Sequence, residues 1–418
     1  MLVKEIENFL NNNQWIEAIQ FIKNIPQPLS DEETAALAWC YSRNAEYENA
    51  IKLYDDMIQR QPQKAKWYYG KGYQFYMQKD WENAIENFST ALSLFENYLV
   101  VKYRIAYAYL QLSGNKMQWS KDTFWKAIRH LEDCHKIFSS YAPEEQKKHI
   151  ATYADICALH GKTIMASERY LDKSIELLKK ANALKADDDF KYQLAKAFYL
   201  KKQYNDALTA LPKSDKHYYV PELHSQILSD SGKYHESNEI LLKLTKYRKK
   251  DYLFRRIAEN YLKMHMIDKA ESYSHKAISM NKRNYKNYLT LGIVLKEKKM
   301  YKSAMQSLER ARLSKQNQYK LDCSEAIILI DEINYLTNNN PKDSNTVSND
   351  DPHNIHEGKV IKYFSERGFG FLLDCHSNKN LFFHISDFPS NEAKIGQKVK
   401  YEITTTSKGE KATSIYII

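Results

Sequence analysis

The stretch GYQFYMQKDWENAIENFSTA, residues 72–91, decides how most of the chain is read. Gly72 and Phe75 precede a polar break at Gln78-Lys79-Asp80. Trp81, Ala84, Phe88 and Ala91 follow it at helical spacing. Small residues let two helices approach closely, and the large ones fill the space beside them. The same order returns at Gly292, Leu295, Tyr301, Ala304, Leu308 and Ala311. Tracking the alanine (or serine) of each second helix gives Ala18, Ala50, Ala84, Ala127, Ser174, Ala207, Ser237, Ala270 and Ala304. The steps between them are 32, 34, 43, 47, 33, 30, 33 and 34 residues. A period near 34 is that of paired antiparallel helices. One pair cannot bury its own apolar face, so neighbours must stack and share a core. The two long steps predict longer helices or loops around 112–123 and 139–152. Tyr47, Trp81, Tyr204, Tyr234 and Tyr301, each three residues before an anchor, are expected to seal the turns.

Composition agrees. The chain of 418 residues has 11 glycines, 2.6 %, against about 7 % in ordinary proteins. That scarcity argues against a doubly wound α/β enzyme or a large β-sandwich. Six glycines lie in residues 1–357 and five in 358–418, so two segments with different backbone demands meet near 357. The net charge of +10 favours anionic partners without naming one. Five scattered cysteines with no Cys-x-x-Cys predict neither a disulfide framework nor a zinc site, and a reducing compartment, the cytoplasm, is expected. No apolar run approaches the length of a membrane span, so no membrane partner is expected.

The repeat pattern resembles the tetratricopeptide repeat family. Ala38, Tyr41, Tyr47, Ala50, Tyr54 and Pro62 match one repeat; Gly72, Phe75, Trp81, Ala84, Phe88 and Ala91 the next; Ala258, Tyr261, Ala270 and Ala277 another. The resemblance covers about nine helix pairs in residues 1–337, with 319–337 as a closing helix. It implies a mainly α superhelical solenoid whose first helices line a concave, partner-binding face. On that face it places Trp39, Tyr69, Tyr73, Tyr76, Tyr103 and Tyr107, and farther along Arg255, Arg256 and Lys286. Aromatic side chains offer large contact area at low entropy cost. The alternative is that these tyrosines pack against the next helix pair. The basic positions would attract an acidic peptide or phosphate, although Glu259 stands where a carboxylate-clamping asparagine would be needed.

Residues 338–357 carry almost no apolar side chains and a net charge of −3, which predicts a flexible polar linker. From Gly358 the apolar period switches to two. Val360–Phe364, Phe369–Leu373, Leu381–Ile385, Val399–Thr404 and Ala412–Ile417 predict five short strands and a small all-β barrel of the OB type. Phe369, Phe371, Phe382 and Phe383 are too many rings for so small an interior, and aromatics left on an open sheet are platforms for single-stranded bases.

Arg367-Gly368-Phe369-Gly370-Phe371-Leu372 and Leu381-Phe382-Phe383-His384-Ile385 look like the two ribonucleoprotein motifs of cold-shock domains. The resemblance spans 358–418. It implies base contacts by Phe369, Phe371, Phe382 and His384 and a phosphate contact by Arg367, with Lys362 and Tyr363 beside them. The family's usual Trp-Phe-Asn is Lys362-Tyr363-Phe364 here, which exchanges one stacking ring for a cation and predicts a weaker, salt-dependent site.

No phosphate-binding Gly-rich loop, nucleophile elbow or zinc-protease motif occurs. No catalytic residues, no cofactor and no metal are therefore expected. The sequence predicts a non-enzymatic adaptor that holds single-stranded nucleic acid, RNA ahead of DNA, in the barrel and a protein partner in the array. Two other readings stand beside it: an array that is itself the main RNA binder, and a scaffold whose barrel no longer binds nucleic acid. A helical ribonuclease built on Arg129 and His135 comes last.

Overall fold

The computed structural model describes residues 2–26, 28–114, 121–213, 217–339, 355–364, 368–377, 379–388, 393–406 and 409–418. The chain divides into two compact units, Met1–Lys216 and His217–Ile418.

The first unit contains α1 (Leu2–Asn11), α2 (Trp15–Lys23), α3 (Asp31–Arg43), α4 (Tyr47–Arg60), α5 (Ala65–Met77), α6 (Trp81–Leu94), α7 (Leu99–Leu112), α8 (Lys121–Ser140), α9 (Pro143–Ile164), α10 (Leu171–Leu184), α11 (Asp188–Leu200) and α12 (Tyr204–Ala210). The second continues with α13 (Tyr219–Asp230), α14 (Tyr234–Tyr247), α15 (Asp251–Lys263), α16 (Ile267–Met280), α17 (Tyr285–Glu297), α18 (Tyr301–Tyr319) and α19 (Ser324–Asn339). The pairs follow the predicted period. All nine anchors lie on second helices, α2 to α18, and every one is 0 % exposed. Where serine replaces alanine, its hydroxyl donates back to the first helix of its pair: Ser174 Oγ to the Gly161 carbonyl and Ser237 Oγ to the Ser225 carbonyl, both at 2.7 Å. A polar atom at a helix–helix contact is tolerated because it is hydrogen-bonded. The small residues facing the anchors are equally constrained: a Cβ on Gly292 would come within 2.6 Å of Leu308 Cδ2.

Turns inside the pairs close with one residue in the left-handed region. In seven of the nine pairs, among the described residues, that residue is Asn13, Ala45, Lys79, Lys202, His265 or Lys299, with φ between 57° and 64°, or Gly232. This is how the array manages with so little glycine. The long steps in the period are taken up by α8 and α9, of 20 and 22 residues, where the other paired helices from α3 to α7 have 13 or 14. The predicted insertion at 112–123 lies partly outside the described residues. The closing helix starts at Ser324, later than expected, because α18 runs on to Tyr319 and ends on the left-handed Lys320. Cys323, Ala326 and Ile333 of that closing segment are fully buried against Leu308 and Ala311.

Most of the polar stretch expected to be a linker, residues 340–354, lies outside the described residues; Asn338 and Asn339 still belong to α19. The barrel begins at Ile355. Its strands are β1 (Ile355–Phe364), β2 (Phe369–Asp374), β3 (Asn380–His384), β4 (Lys398–Thr406) and β5 (Gly409–Ile417), closed in the order β1-β2-β3-β5-β4. All pairs are antiparallel except β3 with β5. Val360, Leu372, Leu381, Phe383, Phe388, Val399, Tyr401 and Ala412 fill the interior. Among the described residues no helix is long and apolar enough to cross a membrane.

Candidate nucleic-acid interface

β2 and β3 alternate as their sequence demands. Gly370, Leu372 and Asp374 face inward, and so do Leu381 and Phe383. Phe369, Phe371, Phe382 and His384 face outward. A side chain at 370 is impossible without rebuilding: a Cβ there would lie 2.4 Å from both the Lys362 carbonyl oxygen and Phe383 Cζ. Glycine therefore lets the Phe383 ring tuck under the strand, while the rings at 369 and 371 stay outside.

Strand register arranges the outward residues in two rows. Lys362 pairs with Phe371, Phe371 with Phe382, and Phe382 with Lys411. Phe364 pairs with Phe369, and Phe369 with His384. The ring centres of Phe369 and Phe382 are 5.7 Å apart, those of Phe371 and Phe382 6.0 Å, and those of Phe364 and Phe369 5.0 Å. Phe382 is 36 % exposed although it is a large apolar side chain. The first row thus carries a cation at each end, and the middle of the face is four phenylalanine rings. Such a surface can stack flat rings and attract a polyanionic backbone.

The expectation for Tyr363 is corrected by its packing. It lies inward, stacked on Phe383 with centres 6.2 Å apart. The cause is a bulge between Val360 and Lys362 that shifts the register of β1 by one residue. Beyond the bulge every side chain changes face. Lys362 and Phe364 turn outward, and Tyr363 turns in. Phe364 and Lys411 are therefore members of the face that alternation alone missed. The Phe364 ring stands two residues from the position where the family's tryptophan is replaced by Lys362, and the Lys362 ammonium lies 4.9 Å from its centre. Arg367 lies outside the described residues.

Behind this face, Asp374 is fully buried. Its carboxylate accepts from the Ser377 backbone N–H at 2.6 Å, the Ser377 hydroxyl at 2.8 Å, the His376 N–H at 3.0 Å and the Tyr401 hydroxyl. His356 Nδ1 lies 3.3 Å away. Burial alone would raise the carboxyl pKa, but these donors outweigh it and hold the group well below the usual carboxylate range. The clasp ties β1, β2 and β4 together.

In the first helical unit, the six aromatics expected on the concave face divide. Trp39 stacks on Tyr73 at 6.1 Å, Tyr73 on Tyr76 at 6.2 Å, and Tyr76 meets Tyr107 at 5.6 Å, forming a continuous ladder over α3, α5 and α7. Tyr69 sits at its base against Phe88 and Tyr98. Tyr103 instead packs onto the core shared by α7, α8 and α9. The unforeseen member is Arg104. Its guanidinium lies 4.6 Å from the Tyr73 ring centre and 5.1 Å from that of Tyr76, and its Nε donates to Tyr69 Oη at 3.2 Å. Arg43 caps the other end, 5.9 Å from Trp39. In the second unit, Arg255 donates to Glu259 at 2.8 Å, and Arg256 joins it on a polar cavity of about 290 Å³ with Ser237 and Asn260. Lys286 is exposed on α17. Arg129 and His135 do not converge: Arg129 is exposed, whereas His135 turns inward onto Tyr153 and His160.

A family model described as the 'Cold-shock' DNA-binding domain matches residues 356–418. The Cold shock-like protein CspE of Escherichia coli K12 is 37 % identical over 59 residues, 13 % of this chain and 86 % of that protein. CspE of Buchnera aphidicola from Acyrthosiphon pisum is 39 % identical over the same length and shares. Among solved structures, the Cut9–Hcn1 hetero-tetramer of the APC/C matches 79 % of this chain and 55 % of its own, with 13 % identity and a TM-score of 0.35. The thermophilic tetratricopeptide repeat protein TTC0263 of Thermus thermophilus matches 48 % of this chain and 98 % of its own, with 19 % identity and a TM-score of 0.34.

Proposed function

The chain belongs to the cold-shock family through its C-terminal barrel, and from that we propose that it is a non-enzymatic adaptor. The barrel holds single-stranded nucleic acid, and the helical array holds a protein partner. The observation that carries the first half is the two-row outer face, with Phe364, Phe369, Phe371 and Phe382 at its centre and Lys362 and Lys411 at its edges. Bases would stack on the rings and phosphates would follow the cations, with His384 beside Phe369 as a polar contact to a base edge. Stacking on flat rings is tolerant of base identity, so selectivity is low.

The Trp39–Tyr73–Tyr76–Tyr107 ladder with Arg43 and Arg104 supports the second half. It is amphipathic and half-exposed, and suits a partner segment bearing carbonyl or carboxylate groups. Because both sites belong to one chain, binding of one ligand raises the effective concentration of the other.

Short fluorescent RNA and DNA oligonucleotides of the same sequence, titrated into the full chain at low salt, test the first half. The expected result is binding by the wild type, lost in the Phe369→Ala/Phe382→Ala double variant. Absence of wild-type binding to either oligonucleotide would sink it. An unchanged affinity in the double variant, with binding abolished by charge reversal on the array, would make the array the nucleic-acid binder. Comparison of the RNA and DNA arms decides the preference, with RNA expected to bind more tightly. For the second half, Trp39→Ala/Tyr73→Ala should remove a co-purifying protein that the barrel variant retains.

A further inference from the structure

A cavity of about 620 Å³ in the first helical unit is lined by α8, α9 and α10, in the stretch where the repeat period is broken. Its size falls within the range of small-molecule sites. Ile128, Ile164 and Leu177 supply apolar wall, and Trp125 stands at its side.

A chain of hydrogen bonds runs into this cavity. Lys180 Nζ donates to Tyr153 Oη at 3.0 Å, Tyr153 Oη is 3.0 Å from His135 Nδ1, and His135 Nε2 is 3.0 Å from His160 Nδ1. His160 is only 5 % exposed, lines the cavity, and its Nε2 has no partner among the described residues. That nitrogen is an open hydrogen-bonding position at the wall of a cavity whose lining mixes apolar, polar and charged side chains.

The cavity wall carries two lysines and two glutamates, Lys173, Lys180, Glu132 and Glu176. Burial first, then Lys180 and Lys173, hold His135 down at about 4, opposed by Glu176. Burial, His135 and Lys173 do the same for His160. Both imidazoles are therefore neutral at pH 7. Of the acids at the cavity, Glu176 is engaged by Lys173 at 3.1 Å, and Glu132 is exposed on α8. Lys180 has no carboxylate within ion-pair distance among the described residues.

We infer that this cavity binds a small organic acid, its apolar body against Ile128, Ile164 and Leu177 and its carboxylate toward His160 and Lys180. A neutral ligand would satisfy His160 but leave the Lys180 ammonium without a counter-charge.

The test uses the full chain and 2-naphthylacetate, with 2-naphthylacetamide as the uncharged analogue of the same shape. Binding is read by calorimetry and by tryptophan emission, since Trp125 lines the cavity. The naphthylacetate should saturate with a Kd of about 0.1–1 mM, the scale for a ligand of that size. The acetamide should bind about tenfold more weakly, and Lys180→Met should lower acetate affinity about tenfold while leaving the acetamide unchanged. Leu177→Trp, which fills the cavity, should abolish both. If that variant fails to fold, Lys180→Met, at an exposed position, still decides. Equal binding of acetate and acetamide, no saturation by naphthylacetate, or full binding by a folded Leu177→Trp variant would each overturn the inference.

Discussion

The rings of Phe364 and Phe369 lie 5.0 Å apart across β1 and β2, both on the outside of the barrel. The pairing puts a ring on β1, two residues past the cation that stands where the family carries tryptophan. Phe364→Ala should therefore weaken oligonucleotide binding by about 1–3 kcal/mol, as truncation at Phe369 or Phe382 should. Tyr363→Leu should cost stability instead and leave affinity per folded molecule unchanged. Fluorescence anisotropy on both variants checks this; a Tyr363 variant that folds normally but no longer binds would reverse the assignment of faces.

Lys362 sits at the end of the first row with its ammonium over an aromatic ring. Lys362→Gln should weaken binding to all sequences alike and make the slope of log affinity against log salt shallower by about 0.7, one phosphate on a single strand. An unchanged slope over a salt titration would remove Lys362 from the backbone path.

Asp374 links the barrel's stability to pH. Its carboxyl pKa is lower folded than unfolded. Its contribution is thus fully present above the unfolded value, about 3.9, and is lost as pH falls below that. Asp374→Asn should lower barrel stability by about 1–3 kcal/mol at pH 7 and flatten the decline in acid. Hydrogen exchange of the β1 and β2 amides between pH 7 and pH 3, in both proteins, measures the difference.

The left-handed turns make a prediction of opposite sign. Lys79 and Lys299 have φ of 64° and 62°, where a Cβ is strained by about 1–2 kcal/mol. Glycine there relieves the strain but loosens the unfolded chain. Lys79→Gly and Lys299→Gly should each raise the stability of the array by about 0.5–1 kcal/mol in urea unfolding. A loss of stability would show that the lysine stems pack more than they strain.

What the sequence made legible was what depends on side-chain size at a fixed spacing. Each of the nine anchors must be small because a neighbouring helix passes over it, so their positions survive in a chain with little other similarity between repeats. Phe369, Phe371, Phe382 and His384 were legible for the same reason, since strict alternation governs β2 and β3. The misses come from backbone geometry and long-range charge. A one-residue bulge in β1 moved Tyr363 inward and Phe364 outward, and nothing in Val360-Ile361-Lys362 announces it. Arg104 was overlooked because its partners, Tyr69, Tyr73 and Tyr76, lie on another helix. The cavity at His160 was invisible for a further reason: it is made by what the long helices leave unfilled.

Those long helices bear on how such a molecule can acquire new properties. Ala127 and Ser174, the anchors of the pairs that contain α8 and α9, are as fully buried as those of the shorter pairs. Register is kept at one small residue per pair; in α8 the added residues lie on both sides of Ala127, and in α9 they precede Gly161, the contact of Ser174. A repeat can therefore lengthen by insertion without breaking its contact with either neighbour. Helix length and packing register are thus separate variables in these repeats, and the cavity beside His160 sits where only the first of them changes.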